Sequence, residues 1–184
     1  ARKVISASFN KETCELETKL DVDGNIKFYT WEDNEGKQAF WHSSAHILAQ
    51  TIKFFYPKSK LTIGPSIENA FYYDVDFNGD NISEKDFQKI EAKFLEFART
   101  DSQFNMKSMS KDEALEFYNK EENQYKVELI QGLDDGTITF CDHSDFSDLC
   151  RGGHIPSTGI VKAVKLLNIA GAYWRGDEKN NQLT

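Results

Sequence analysis

Gly36-Lys37-Gln38-Ala39-Phe40-Trp41-His42-Ser43-Ser44-Ala45-His46-Ile47-Leu48-Ala49-Gln50-Thr51-Ile52-Lys53-Phe54-Phe55-Tyr56-Pro57 is the stretch on which the architecture turns. Phe40, Ser44, Ile47, Leu48, Thr51, Ile52 and Phe55 recur at the i, i+4, i+7, i+8 spacing of one helical face, and Pro57 follows the end. The pattern predicts a helix over 36–56. At ~100° per residue, His42, Ala45, His46 and Ala49 fall roughly opposite that stripe, so the two histidines are expected away from the main core.

Towards the N-terminus, residues 4–9 and 14–20 alternate weakly in polarity, and 25–30 read as a strand after the turn Asp23-Gly24. Residues 1–34 therefore look like the end of a small β-rich unit, too short to be stable alone, and Glu32 to Gly36 read as a connector. Towards the C-terminus, 61–64 and 70–77 read as strands, with turn signals at Gly64-Pro65 and Asn78-Gly79. A second helix is predicted from Ser83, a good N-cap, to Thr100, with Phe87, Ile90, Phe94, Leu95 and Phe97 apolar. A third begins at Ser110, where Ser110 and Glu113 suit a capping box; it breaks near Asn119 and resumes to Gly132. Residues 137–141 and 160–168 are the last strand candidates. Strands and helices do not alternate regularly, so the expected fold class is α+β: a largely antiparallel β-sheet with packed helices, preceded by part of a small β-rich unit.

The 184 residues carry 39% hydrophobic and 28% charged side chains, with 14 Phe, 7 Tyr and 3 Trp, enough for a packed core. No run approaches the ~18 apolar residues that span a bilayer, and Ala1-Arg2-Lys3-Val4-Ile5 is not followed by the apolar stretch of a signal peptide. Cys14, Cys141 and Cys150 are too few and scattered for a disulfide framework, so a cytoplasmic, membrane-free setting is expected. A net charge of −8 argues against tight nucleic-acid binding by the whole surface, because RNA affinity comes largely from Lys and Arg releasing counterions.

Two constellations carry chemistry. His42 and His46 stand one helical turn apart, so both rings can serve one site. In Asp148-Leu149-Cys150-Arg151-Gly152-Gly153-His154, a thiol and an imidazole flank two glycines that let backbone approach a ligand closely. Together His42, His46, Cys150 and His154 are four candidate zinc ligands. A thermolysin-like zinc peptidase is disfavoured, because Ser43 stands where its motif needs Glu. A thiol protease would pair Cys150 with a histidine, but no local signature supports it.

These two motifs resemble the editing domain of bacterial-type threonyl-tRNA synthetases. So do Ile63-Gly64-Pro65, Phe71-Tyr72-Tyr73-Asp74-Val75-Asp76, Tyr125-Lys126-Val127 and Ala170-Gly171-Ala172-Tyr173-Trp174-Arg175-Gly176-Asp177. The likeness covers residues 37–184 in the family's order, and residues 1–34 resemble the C-terminal part of the TGS domain that precedes editing there. The His-x3-His and Cys-x3-His motifs alone would also suit the alanyl-tRNA editing family; the aromatic stretches tip the choice to threonyl. The family often has Pro where this chain has Gly153, a change expected to loosen the loop without removing a chemical group.

The resemblance implies proofreading: hydrolysis of serine mis-esterified to threonine tRNA by an excised fragment with no ligase activity, ATP use or anticodon reading. His42, Lys126, Asp148, Cys150 and His154 would be catalytic, with His46, Tyr73 and Arg151 binding substrate. His42 or Lys126 would activate or orient water, and Asp148 would bind the serine amino group or position Lys126. Cys150 and His154 would shape the pocket wall, and Tyr73 would contact the substrate's amino acid or adenosine. Replacing His42 or Lys126 by Ala would cost hydrolysis and leave the fold intact. The site is expected to hold no metal, with zinc on His42, His46, Cys150 and His154 as the alternative. The expected partners are the tRNA(Thr) acceptor end carrying serine and the remaining domains of the synthetase. Arg151, Lys162, Lys165 and Arg175 are candidates for RNA contact, weak and salt-sensitive. Two other functions remain open: a zinc-dependent alanyl-type trans-editing hydrolase, and a non-catalytic RNA-binding module.

Overall fold

The computed structural model describes residues 4–184, and it begins with a small antiparallel sheet. Strands β1 (Ser6–Phe9), β2 (Glu12–Cys14) and β3 (Ile26–Tyr29) lie in the order β2-β1-β3. Phe9 pairs with Glu12 across the two-residue turn Asn10-Lys11, both with positive φ, the hairpin geometry that matches strand twist. The weak alternation over 14–20 does not carry β2 beyond Cys14. The chain turns there, with Thr18 N–H donating to Glu15 O, which frees the Glu15 side chain from the sheet. Ile5, just before β1, packs into the same apolar cluster as the first helix.

Helix α1 (Asn34–Phe55) starts two residues before the expected Gly36, and the Tyr56 N–H closes it on Ile52 O. Residues Ser43 to Ile52 are buried on every face, so the histidine stripe is not an outer face as expected. One side packs on the core and the other on the Cys150–His154 loop. The buried hydroxyls of Ser43, Ser44 and Thr51 donate to the carbonyls of Ala39, Phe40 and Ile47, which satisfies them within the helix.

Short strands β4 (Lys60–Leu61), β5 (Ser66–Ile67), β6 (Ala70–Phe71) and β7 (Val75–Asp76) follow, pairing β4 with β7 and β5 with β6. The predicted strand 70–77 is thus split at Tyr72 to Asp74. Helix α2 (Phe87–Arg99) is led by a 3-10 turn where Asp86 accepts from Ser83 N–H at 2.8 Å, and it buries Ile90, Phe94 and Ala98.

Strand β8 (Asn105–Ser108), unforeseen in the sequence, precedes helices α3 (Lys111–Lys120) and α4 (Gln124–Gln131). The Ser110–Glu113 capping box forms as expected, and the helices break at Glu121 to Asn123, where Asn123 caps α4 by accepting from Lys126 N–H. Strands β9 (Thr139–His143) and β10 (Phe146–Leu149) complete a sheet of order β10-β9-β8, with Asp148 opposite Cys141.

The strand expected over 160–168 does not form. Thr158–Ile160 is a 3-10 turn, and the following extended segment bonds Leu166 N–H to the Glu91 side chain instead of a neighbouring strand. Ile160, Val161, Val164 and Leu166 pack against the core while Leu167 is exposed, which explains the misleading alternation. Strands β11 (Ala172–Tyr173) and β12 (Gln182–Leu183) end the described chain. Every named ladder is antiparallel, as the α+β reading requires, but the pairing is divided among five small sheets. Among the described residues no helix is long and apolar enough to cross a membrane.

Candidate active site

A cavity of 1190 Å³ opens beside α1, α4 and the end of β10. Its lining includes His42 and His46 from α1, Tyr73 from the break between β6 and β7, Lys126 from α4, and Asp148, Cys150 and Arg151. His154, the eighth residue singled out in the sequence, stands directly behind Cys150, its Nε2 3.4 Å from Sγ. Ser43 holds loop to helix: it accepts from Ile155 N–H at 3.0 Å while its own proton goes to Ala39 O.

Asp148 is one hub. Oδ1 meets Lys126 Nζ at 2.6 Å and accepts from Tyr118 OH at 2.8 Å; Oδ2 accepts from Tyr73 OH at 2.7 Å. Burial alone would raise the Asp148 carboxyl, but Lys126, His46 and the hydrogen bonds outweigh it and hold it below the ordinary value. Burial beside this carboxylate pushes the Tyr73 and Tyr118 phenols well up, so both remain protonated donors.

Cys150 is the other. His42 Nε2 lies 3.1 Å, His46 Nε2 3.3 Å and the Gly152 N–H donor 3.3 Å from Sγ. Burial opposes ionisation, yet the charge of His46 and the bonds from His154, His42 and His46 bring the thiol well below its usual value. Burial in turn lowers His46, whose Nδ1 has no hydrogen-bond partner and lies 4.0 Å from Asp148 Oδ2. For His154 burial is overcome by Cys141, Cys150 and Glu15, which raise it well above the ordinary imidazole value.

Three residues of this site were not foreseen. Tyr118 also accepts from Leu149 N–H at 2.8 Å; within its helix it reads as an ordinary core aromatic. His143 packs 6.3 Å from His46 between Phe104 and Phe146, without a hydrogen-bond partner, and burial lowers it to about 3. Glu15 accepts from Gly153 N–H and His154 Nδ1, both at 2.9 Å, and no local motif marks it. Gly153 therefore does more than loosen its loop: it presents an N–H that proline lacks.

His42, His46, Cys150 and His154 form a set that can hold a metal, their ligand atoms all within 4.8 Å of one another. A thiolate with three imidazoles is a zinc donor set, and zinc bond lengths of ~2.3 Å to sulfur and ~2.0 Å to nitrogen put tetrahedral donors roughly 3.5 Å apart. The sulfur–nitrogen separations of 3.1, 3.3 and 3.4 Å come close to that, while the widest pair is looser.

The four expected RNA-contacting cations do not form one patch of free charge. Lys165 pairs with Glu91 at 3.2 Å and Arg175 with Glu128 at 3.1 Å, whereas Arg151 is exposed at the cavity and Lys162 is exposed.

Residues 138–184 match the family described as "Threonyl and Alanyl tRNA synthetase second additional domain". The whole chain is 62% identical to the threonine–tRNA ligase of Flavobacterium johnsoniae, 48% to that of Cytophaga hutchinsonii and 50% to that of Clostridioides difficile. It spans 28%, 28% and 29% of those relatives, respectively. An alignment that covers the whole chain, together with the family match over the Cys150–His154 region, makes the chain homologous to a segment of the bacterial threonine–tRNA ligases.

Proposed function

We propose that this chain hydrolyses serine mis-esterified to threonine tRNA, as the editing module of a threonyl-tRNA synthetase. Residues 37–184 would be the editing domain and residues 1–34 the C-terminal part of a TGS-like domain. The observation that carries the reading is convergence: seven side chains from four separate stretches of sequence line one open cavity, and the eighth backs it.

An aminoacyl ester needs a positioned water, a proton acceptor and a stabiliser for the oxyanion. His42 supplies the acceptor. Its Nε2 lies 3.1 Å from Cys150 Sγ, and in the tautomer that donates Nε2–H to the sulfur Nδ1 is left to take a proton from the attacking water. Lys126 supplies positive charge to the developing oxyanion. Asp148 already receives three donors, so its part is to fix Lys126 and Tyr73 rather than to bind the serine amino group. Threonine differs from serine by one methyl, worth only ~1–3 kcal/mol in a binding pocket, so a second, smaller sieve is required for fidelity. Arg151 at the cavity meets the acceptor end of tRNA(Thr), and the other synthetase domains, in the cytoplasm, deliver it. The experiment is deacylation of seryl- and threonyl-tRNA(Thr) with and without a chelator; serine release that spares threonine and ignores chelator is expected.

The ligand cluster favours one second reading, in which His42, His46, Cys150 and His154 hold zinc. Bound there, zinc would supply Lewis-acid chemistry if a coordination position were open. With all four residues as ligands the site is closed in the manner of structural zinc, which argues for water activation by side chains. Loss of serine release on chelation, restored by zinc, would establish the second reading.

A further inference from the structure

Glu15 lies one residue beyond β2 of the N-terminal sheet, yet its carboxylate binds groups far along the sequence. Oε1 accepts from Gly153 N–H and from His154 Nδ1, each at 2.9 Å, and Oε2 accepts from His154 N–H at 3.1 Å. The Glu15 side chain is 13% exposed and that of His154 is fully buried. The loop is shaped for this contact. Gly152 and Gly153 both have positive φ, +93° and +89°, which turns successive N–H groups inward. A Cβ at Gly152 would stand 3.2 Å from Glu15 Oε1, and one at Gly153 would stand 2.9 Å from Thr13 Cγ2. The N-terminal strand and the glycine loop are therefore fitted to each other.

A carboxylate that accepts from Nδ1–H fixes how the ring is turned. Here it turns Nε2 toward Cys150 Sγ, the same sulfur that receives His42. We propose that Glu15 is a positioning residue for the deacylation: it locks His154 and the Gly152-Gly153 loop so that the sulfur stays in register with His42. The proposal rests on the deacylase reading given above, and it makes the N-terminal sheet part of the working site rather than an appendage to it. Were zinc to occupy the cluster, the same contact would orient His154 as a ligand through Nε2, so Glu15 keeps its positioning part.

The test compares the parent chain with Glu15→Ala, Glu15→Gln and Glu15→Asp. Three readouts are taken: seryl-tRNA deacylation, melting temperature, and the protonated nitrogens of His154 by long-range proton–nitrogen NMR. Glu15→Ala is expected to lower kcat by about 10–100-fold with little change in KM, the usual cost of removing such an orienting carboxylate. Glu15→Asp is expected to recover part of that loss, and the His154 Nδ1 signal is expected to change in Glu15→Ala. Parental kcat in Glu15→Ala with an unchanged His154 signal would overturn the proposal. If Glu15→Ala does not fold, the nearly isosteric Glu15→Gln decides by the same criteria. If the parent releases no serine, the deacylase reading fails separately, and the His154 signal alone decides whether Glu15 positions that ring.

Discussion

Lys126 and Asp148 form an ion pair 2.6 Å long with side chains only 3% and 4% exposed. Removing one partner from such a pair leaves an uncompensated buried charge, at a cost of about 3–5 kcal/mol. The sequence-based expectation that Lys126→Ala would spare the fold is therefore replaced by a stronger one. Lys126→Ala should lose both activity and stability, whereas the double variant Lys126→Met, Asp148→Leu should regain only part of the stability, because the Tyr73 and Tyr118 hydroxyls lose their acceptor, and no activity. Urea unfolding beside a deacylation assay checks both.

Tyr118 links Asp148 to the backbone by donating to Oδ1 and accepting from Leu149 N–H. Tyr118→Phe leaves the part-buried Leu149 N–H without its acceptor and removes a bond to a charged group, each worth about 1–3 kcal/mol. The expected result is a lower unfolding free energy, by a few kcal/mol, with a drop in kcat as Asp148 and Lys126 lose their fixed geometry.

Gly64 gives a sharper geometric test. A Cβ there would stand 2.3 Å from the Tyr73 ring, so Gly64→Ala must push that ring aside and pull its hydroxyl off Asp148. Gly64→Ala and Tyr73→Phe should each reduce deacylation, and the double variant should lose little more than either alone, since they break the same contact.

His143 sets an acid limit on stability. The unfolded imidazole takes a proton below about 6.5, but the buried one does not until about 3, so between those values the unfolded state holds the extra proton. Stability should therefore fall as pH drops through that window, by up to ~1.4 kcal/mol per unit from this residue. His143→Leu keeps an apolar side chain against Phe104 and Phe146, and should flatten the acid limb of stability measured by urea unfolding between pH 4 and 7.

Local chemistry made much of this legible. The helices around His42, Phe94, Leu115 and Leu129 follow from period and capping, and the motif residues do converge on one cavity. What failed to show depends on distant partners. β10 is held by pairing Phe146 with His143 and Asp148 with Cys141, and the segment after Ile160 alternates like a strand but has only Glu91 to bond. The burial of His46 could not be read from α1 alone, because the surface covering it is the loop more than 100 residues later. Glu15 and Tyr118 were invisible for the same reason: nothing near either one announces the groups they bind.

The most direct measurement is the rate of serine release from seryl-tRNA(Thr), set against threonine release from threonyl-tRNA(Thr), for the parent chain and for His42→Ala. The account predicts that the parent clears serine and spares threonine, and that His42→Ala, still folded, is slower by about 10²–10⁴-fold, the usual share of a general base. Equal release of both amino acids, or a His42→Ala variant as fast as the parent, would contradict it.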